Sequence, residues 1–380
     1  MNMKKIRIVF ITIGIAACLF FLLERDFLPG LSKKSSPEEQ LKLVGNAAYL
    51  IRDEYVEEPN PTKTMEGAFR GLVDSLDVGS SYLNKDALAK FDQRKNANFF
   101  EPGLILYKSY GRFPVIIGVK ENSPAEQKGI KVGDTLSAID GKSTLTMSML
   151  EANLFLKSTA DQRIELKILH GSETKNIDLD KALLTKEAFV FEASQGSSGI
   201  LKINRFYSPC TEKIKEELLP KLKTPTKPLI LDLRDCSEGE INEAQSFLNI
   251  FLHREDIGYF EKKGGLRESL SLNDQPVLSE LPLIVWTNQA TIGPSEVVAG
   301  VLSEFREAKI IGLKTPGLVS RMELIPLEDG SGLLLTSAVF HLSEEKAIWN
   351  EGIKPDVEIK FDTMTTQAYL EETKKLISKL

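Results

Sequence analysis

The segment LPLIVWTNQATIGPSEVVAGVLSEFREA, residues 281–308, changes period in its middle. An apolar run gives way to apolar residues at helical spacing, with Gly293 and Pro294 between them, which predicts a buried strand, a tight turn and a helix. The alternation occurs twice more, as GILKINRF before TEKIKEELLPKL and PLILDLRD before NEAQSFLNIFL. Near-continuous apolar strands alternating with amphipathic helices predict a parallel sheet covered on both faces, placed over residues 173–380. Sites in such folds lie where strands end and helices begin.

Residues 98–172 read differently. VIIGV is a strand, and NSPAEQKG starts a short helix with Ser123 as N-cap, Pro124 in the first turn and Glu126 closing a capping box before Gly129 ends it. TLSAIDG alternates up to an Asp-Gly turn, MSMLEANLFL is a second helix, and RIELKIL closes a compact sheet. Upstream, LKLVGNAAYLIRDEYV and TMEGAFRGLVDSL carry apolar residues at helical spacing around the loop EEPNPT, predicting a helical arm over 41–97. LSKKSSPEEQ, residues 31–40, is a polar linker.

The first thirty residues change the setting. Lys4, Lys5 and Arg7 precede an apolar run from Ile8 to Leu23, the pattern of an export signal. No A-x-A site follows, so residues 1–30 read as an uncleaved signal anchor that holds the rest of the chain in the cell envelope, periplasmic or extracellular. The alternative takes IAAC as a lipoprotein box modified at Cys18.

Charge and composition remove other classes. Lys and Arg number 48 against 54 Asp and Glu, and the basic residues are scattered, so no electrostatic footprint for nucleic acid exists. Cys18, Cys210 and Cys236 are too few and too far apart for a disulfide scaffold or a CxxC metal site, leaving a Cys210–Cys236 bridge as the one pairing to consider. His170, His253 and His341 are separated and have no carboxylate or cysteine at ligand spacing. No metal or other cofactor is expected.

The segments DEYVEEPNP, GAFRGLVDSLDVGSSYL, ENSPAEQKGIKVGDTLSAIDGK, LILDLRDCSEGE, LEDGSGLLLTSA and GIKPD, in that order, resemble the C-terminal processing, or tail-specific, serine peptidases. The resemblance implies a multidomain α/β and α+β fold: a helical arm, a PDZ-like β-sandwich domain and a mixed α/β protease core. It also implies protein or peptide C-termini as partners, added as a strand to the PDZ domain with the terminal carboxylate held by loop N–H groups. That loop is FFEPGLIL, so Gly103, Leu104 and Ile105 are the expected peptide contacts. Glu101 there is expected to repel a carboxylate, and Pro102 has no N–H to give.

The chemistry of the resembled family is a serine attacking an amide while a neutral lysine takes its proton and backbone N–H groups hold the oxyanion. Matched on Glu296, TIGPSE puts Gly293 at the nucleophile position and Pro294 at an oxyanion donor. The lysine position falls on Leu318, its orienting glutamine on Met322, and the second oxyanion turn on Glu238 and Gly239. The leading expectation is therefore a catalytically degenerate member, a membrane-tethered binding or scaffold protein that acts beside an active relative. The alternatives are an active endopeptidase with a displaced Ser295/Lys314 dyad and a structural partner that oligomerises through the helical arm. Without a displaced dyad, Gly293, Pro294 and Glu296 are an ordinary helix start and Lys314 a solvated loop lysine.

Overall fold

The computed structural model describes residues 36–93, 99–159, 162–184, 187–192, 194, 197–222, 227–361 and 365–378. The expected signal anchor, with Cys18, lies outside these residues. Among the described residues no helix is long and apolar enough to cross a membrane. The chain divides into two units, residues 1–65 and 66–380.

In the first unit, helix α1 (Pro37–Glu54) starts inside the expected linker. The cause is a capping box: Ser36 Oγ accepts from Glu39 N–H at 3.2 Å, and Glu39 Oε2 accepts from Ser36 N–H at 3.0 Å. Leu41, Leu43, Tyr49, Leu50 and Ile51 of this helix are exposed.

Helix α2 (Pro61–Asp74) leads into the second unit. Strand β1 (Ser81–Leu83) follows, then helix α3 (Lys85–Gln93). Part of the expected helical arm is thus built into a sheet, because Ser81, Tyr82 and Leu83 pair with Leu334, Leu333 and Gly332.

The PDZ domain comprises β2 (Leu104–Tyr107), β3 (Val115–Val119), α4 (Pro124–Gln127), β4 (Thr135–Ile139), β5 (Lys142–Ser143), α5 (Met149–Leu156), β6 (Arg163–His170) and β7 (Glu173–Asp180). Its antiparallel sheet runs β2-β3-β4-β6-β7, with β5 on β4, over a core that includes Leu104, Leu106, Ile116, Leu136, Leu166 and Ile168. The expected boundary at 172 is corrected: β7 pairs with β6 from His170↔Glu173 to Arg163↔Asp180. ETKNIDLD escaped sequence reading because only Leu179 of that strand is fully buried. Ser123 caps α4 as expected, but Glu126 accepts the N–H of Asn122, one residue earlier than a capping box requires.

The protease-like core contains β8 (Phe189–Glu192), β9 (Gly199–Ile203), α6 (Cys210–Glu217), β10 (Leu229–Asp232), α7 (Ile241–Leu248), β11 (Tyr259–Lys262), β12 (Arg267–Ser269), β13 (Leu283–Thr287), α8 (Pro294–Arg306), β14 (Lys309–Gly312), β15 (Ser320–Pro326), β16 (Gly332–Ser343), β17 (Lys346–Ala347), β18 (Val357–Glu358) and α9 (Thr366–Ile377). One sheet runs β18-β14-β13-β10-β9-β8, parallel except for β8. Strand side chains alternate between faces: Leu201, Leu231 and Val285 pack with α6, α7 and α8, while Ile230, Ile284 and Trp286 pack with α9. A second, antiparallel sheet runs β1-β16-β11-β12, with β15 and β17 on β16. Cys210 and Cys236 are buried free thiols, so no bridge joins them.

The PDZ domain meets the core at Gly118 of β3. A Cβ there would stand 2.7 Å from Ala290 Cβ and 2.8 Å from Asp235 Oδ1, closer than side chains approach. Ile105 and Ile117 flank this contact and pack with Ala290. Gly118→Leu is expected to cost about 1–3 kcal/mol through overpacking and to split thermal unfolding into two calorimetric transitions. A single transition at the native temperature would show that the contact does not hold the domains together.

Candidate functional site

Gly293 has φ 67° and ψ −117°. A residue bearing a Cβ adopts such a conformation at a cost of about 1–3 kcal/mol, and turns that display a nucleophile after a strand are strained in this manner. A Cβ built at 293 would meet only the Leu318 carbonyl oxygen, at 3.8 Å. The position therefore has room for a side chain and faces the loop that carries Leu318. Pro294 opens α8 and has no N–H.

The third residue of the helix does more than the expected charge at a helix end. Glu296 is fully buried. Its Oε2 accepts from Gly293 N–H at 3.0 Å and Leu318 N–H at 2.8 Å, and its Oε1 from Gly317 N–H and Thr315 Oγ1, both at 2.6 Å. Thr315 Oγ1 in turn accepts from Ile353 N–H at 2.8 Å. Burial pushes the Glu296 pKa above its ordinary value, against the pull of these same hydrogen bonds. Only a carboxylate accepts on two oxygens without presenting a donor of its own. Glu296 thereby fixes the nucleophile turn against the loop on which the resemblance places the base.

The displaced dyad is not assembled. Ser295 is fully buried, and its hydroxyl lies 2.5 Å from the Cys236 carbonyl oxygen, to which it donates, and 2.9 Å from that of Ile292. Lys314 is exposed and makes no hydrogen bond with it. Leu318 and Met322 instead line a cleft, and the Met322 sulfur faces the hydroxyls of Thr336, at 3.4 Å, and Ser320, at 3.5 Å.

That cleft, of about 620 Å³, joins the turn to the PDZ groove. One wall is Leu104, Ile105 and Leu106 of β2 with Met149, Leu150 and Asn153 of α5; the other includes Ile292, Leu318, Met322, Leu334 and Trp349. Strand β2 is an end strand of its sheet, as strand addition requires. At Gly103, with φ 89°, a Cβ would collide with Ser123 Cβ at 2.2 Å, so the helix cap dictates glycine there.

Four charges close the polar end of the cleft. Lys120 Nζ lies 2.7 Å from Glu101 and 3.7 Å from Glu238, and Lys157 Nζ lies 2.7 Å from Glu238 and 3.8 Å from Glu101. The expected repulsion by Glu101 is corrected: both lysines answer its charge. Burial works against ionisation of Glu238, but Lys157 and Lys120 outweigh it and hold its pKa at about 2. Burial likewise opposes the charge on Lys120, while Glu238 and Glu101 raise its pKa above the ordinary lysine value. Gly239 is required by Phe206, whose Cβ a side chain at 239 would meet at 2.6 Å. Among the described residues no group of His, Cys, Asp and Glu is placed to hold a metal ion.

Comparison with known proteins fits this geometry. Residues 197–359 match peptidase family S41, and residues 115–169 match a PDZ domain. The chain is 26% identical over 378 residues to the carboxy-terminal processing protease CtpA of Bacillus subtilis, covering 98% of this chain and 80% of that protein. It is 26% identical over 335 residues to a "Probable CtpA-like serine protease" of Staphylococcus aureus, covering 87% of this chain and 67% of that one. Its fold superposes on the photosystem II D1 C-terminal processing protease with a TM-score of 0.68 at 22% identity, over 88% of this chain and 96% of the other.

The chain belongs to the C-terminal processing peptidase family. In this C-terminal processing peptidase homologue, the position matched to the nucleophile has no side chain, and the loop matched to the base is held by Glu296. Sequence reading found Leu318 and Met322, which line one cleft, and Gly293, which faces the Leu318 carbonyl. It missed Lys120 and Lys157. Lys157 pairs with Glu238 across 81 positions of chain, and no local pattern marks such a partner.

Two outcomes test this geometry. Glu296→Gln turns an amide N–H₂ toward donors, and is expected to lower unfolding free energy by about 3 kcal/mol in urea titrations; an unchanged midpoint would refute the clamp. Because the Glu238 pKa falls from an ordinary 4.5 to about 2, its contribution is complete above pH 4.5 and is lost as pH drops toward 2. Acid-unfolding curves of the native protein and Glu238→Gln should be offset above pH 4.5 and converge below it, whereas a constant offset would contradict the ring.

Proposed function

We propose that this chain is a non-hydrolytic C-terminal processing peptidase homologue, tethered in the cell envelope by residues 8–23, that binds protein or peptide C-termini in the cleft between its PDZ domain and its core. The observation that carries the reading is the turn at Gly293: a positive-φ backbone, open space, and no side chain to act as nucleophile. Ser295, which would have to replace it, has its hydroxyl bonded to a backbone carbonyl in the core.

The cleft suits an apolar tail in extended form. Leu104, Ile105, Met149, Leu150, Leu318 and Met322 supply apolar contacts, and β2 supplies the edge for main-chain pairing. Lys120 and Lys157 stand at the polar end, where a terminal carboxylate can exchange with Glu101 or Glu238 as their partner. A second reading, assembly with an active relative through the arm, draws support from the exposed Leu41, Leu43, Tyr49, Leu50 and Ile51 of α1.

Incubation with an unfolded protein and an apolar-tailed peptide, followed by mass spectrometry, is expected to show no cleavage. Fluorescence titration should show binding of that peptide, weakened about tenfold or more, equivalent to about 1.4 kcal/mol, by Asn153→Trp, which fills the groove. Hydrolysis that follows the chain through gel filtration would end this reading. Joint restoration of Gly293→Ser, Pro294→Ala and Leu318→Lys is expected to bring back measurable turnover.

A further inference from the structure

A second cavity, of about 360 Å³, lies at α5 and shares Lys157 with the peptide cleft. Leu154 and Phe155 line it, whereas Met149, Leu150 and Asn153 line the cleft. Among the described residues its charged groups are Lys90, Lys142, Lys157 and Lys181 with one acid, Asp140. Lys157 is engaged by Glu238 and Glu101.

The other three lysines are arranged unlike solvated surface lysines. Lys90 and Lys142 both hold their ammonium groups over the Phe155 ring, 4.1 Å and 4.7 Å from its centre. Each gains about 0.5–1 kcal/mol from the ring at an exposed site, and two cations at one ring also repel. Lys181 is only 6% exposed, and its ammonium has a single hydrogen bond among the described residues, 3.5 Å to the Phe155 carbonyl oxygen. A lysine ammonium carries three donors, and a buried charge left so weakly partnered is costly. Burial lowers the Lys181 pKa, Asp140 opposes that shift, and Lys90 adds to it. The nearby acid is partly committed, since Asp140 Oδ1 accepts from Glu165 N–H at 2.9 Å.

We propose that this cavity is a binding site for a phosphomonoester group, held by Lys90, Lys142 and Lys181 over Phe155. Among the described residues the three lysines less Asp140 leave two positive charges, and a phosphomonoester brings about −1.5 to −2 and three strong acceptor oxygens. A carboxylate brings one charge and leaves the cavity positive. The volume exceeds a phosphate ion, which leaves room for the group that bears it. The phosphate arrives on a small soluble molecule or on a lipid headgroup, and the two sources separate by experiment.

The full chain, purified in neutral detergent, is titrated with glycerol 1-phosphate by calorimetry, and its co-flotation is measured with phosphatidylcholine vesicles with and without phosphatidate. Saturable binding is expected with one source or both, weakened about tenfold or more in Lys181→Met, about 1.4 kcal/mol or more. The control Lys175→Gln, an exposed residue of β7 outside the cavity, should bind as the native chain does. Binding of the soluble ester identifies a small-molecule ligand, and binding confined to phosphatidate vesicles identifies a headgroup. Should Lys181→Met not fold, Lys90→Gln with Lys142→Gln decides in its place. Absence of saturable binding from both sources, or equal binding by the cavity variants and the control, overturns the proposal.

Discussion

The Glu296 carboxylate is the constraint on which the functional end of this protein depends. It accepts four hydrogen bonds, one from the turn at Gly293 and three from the loop of Thr315, Gly317 and Leu318. Two largely buried segments are thereby joined through one carboxylate, and the energy resides in an interior where an unsatisfied donor costs about 1–3 kcal/mol. This clamp holds the turn at Gly293 and the loop of Thr315, Gly317 and Leu318 in one fixed relation. The positive-φ conformation of Gly293 is one that glycine adopts freely, and it needs no side chain of its own.

A second constraint acts between domains. Glu101, Lys120 and Lys157 belong to the PDZ domain and Glu238 to the core, and their alternation makes each charge the neighbour of two opposite ones. Isolated exposed pairs contribute little, whereas this ring is partly screened from water and closes beside a tight apolar contact at Gly118 and Ala290. Groove and turn therefore form one continuous cleft. Ligand recognition by such a surface relies on a shape that exists before the ligand arrives.

The sequence made much of this legible where the signal was local. Strand, turn and helix at 281–308 follow from a change of period and from Gly293-Pro294, and α4 follows from Ser123 and Pro124. Strand β7 was hidden because its polar residues face outward and one leucine carries its burial. The start of α1 was hidden because Ser36 and Glu39 look like linker until their reciprocal hydrogen bonds are seen. At the site, residue identity exposed how 293 and 318 differ from the resembled family's pattern, but not what holds the remainder. Thr315, Lys120 and Lys157 act through partners far away in the chain, and spacing along a sequence carries no record of them. Ser295 illustrates the reverse: a hydroxyl next to the right position reads as chemistry, and its burial against Cys236 makes it a structural tether.

The bare backbone of Gly118 against Ala290 has an evolutionary consequence. Each position limits the size of the other, so a substitution at one site is tolerated only with a compensating change across the interface, and their effects on stability will not add. The docked arrangement of PDZ domain and core therefore predicts small residues at both positions in any descendant of this chain that keeps the two domains pressed together.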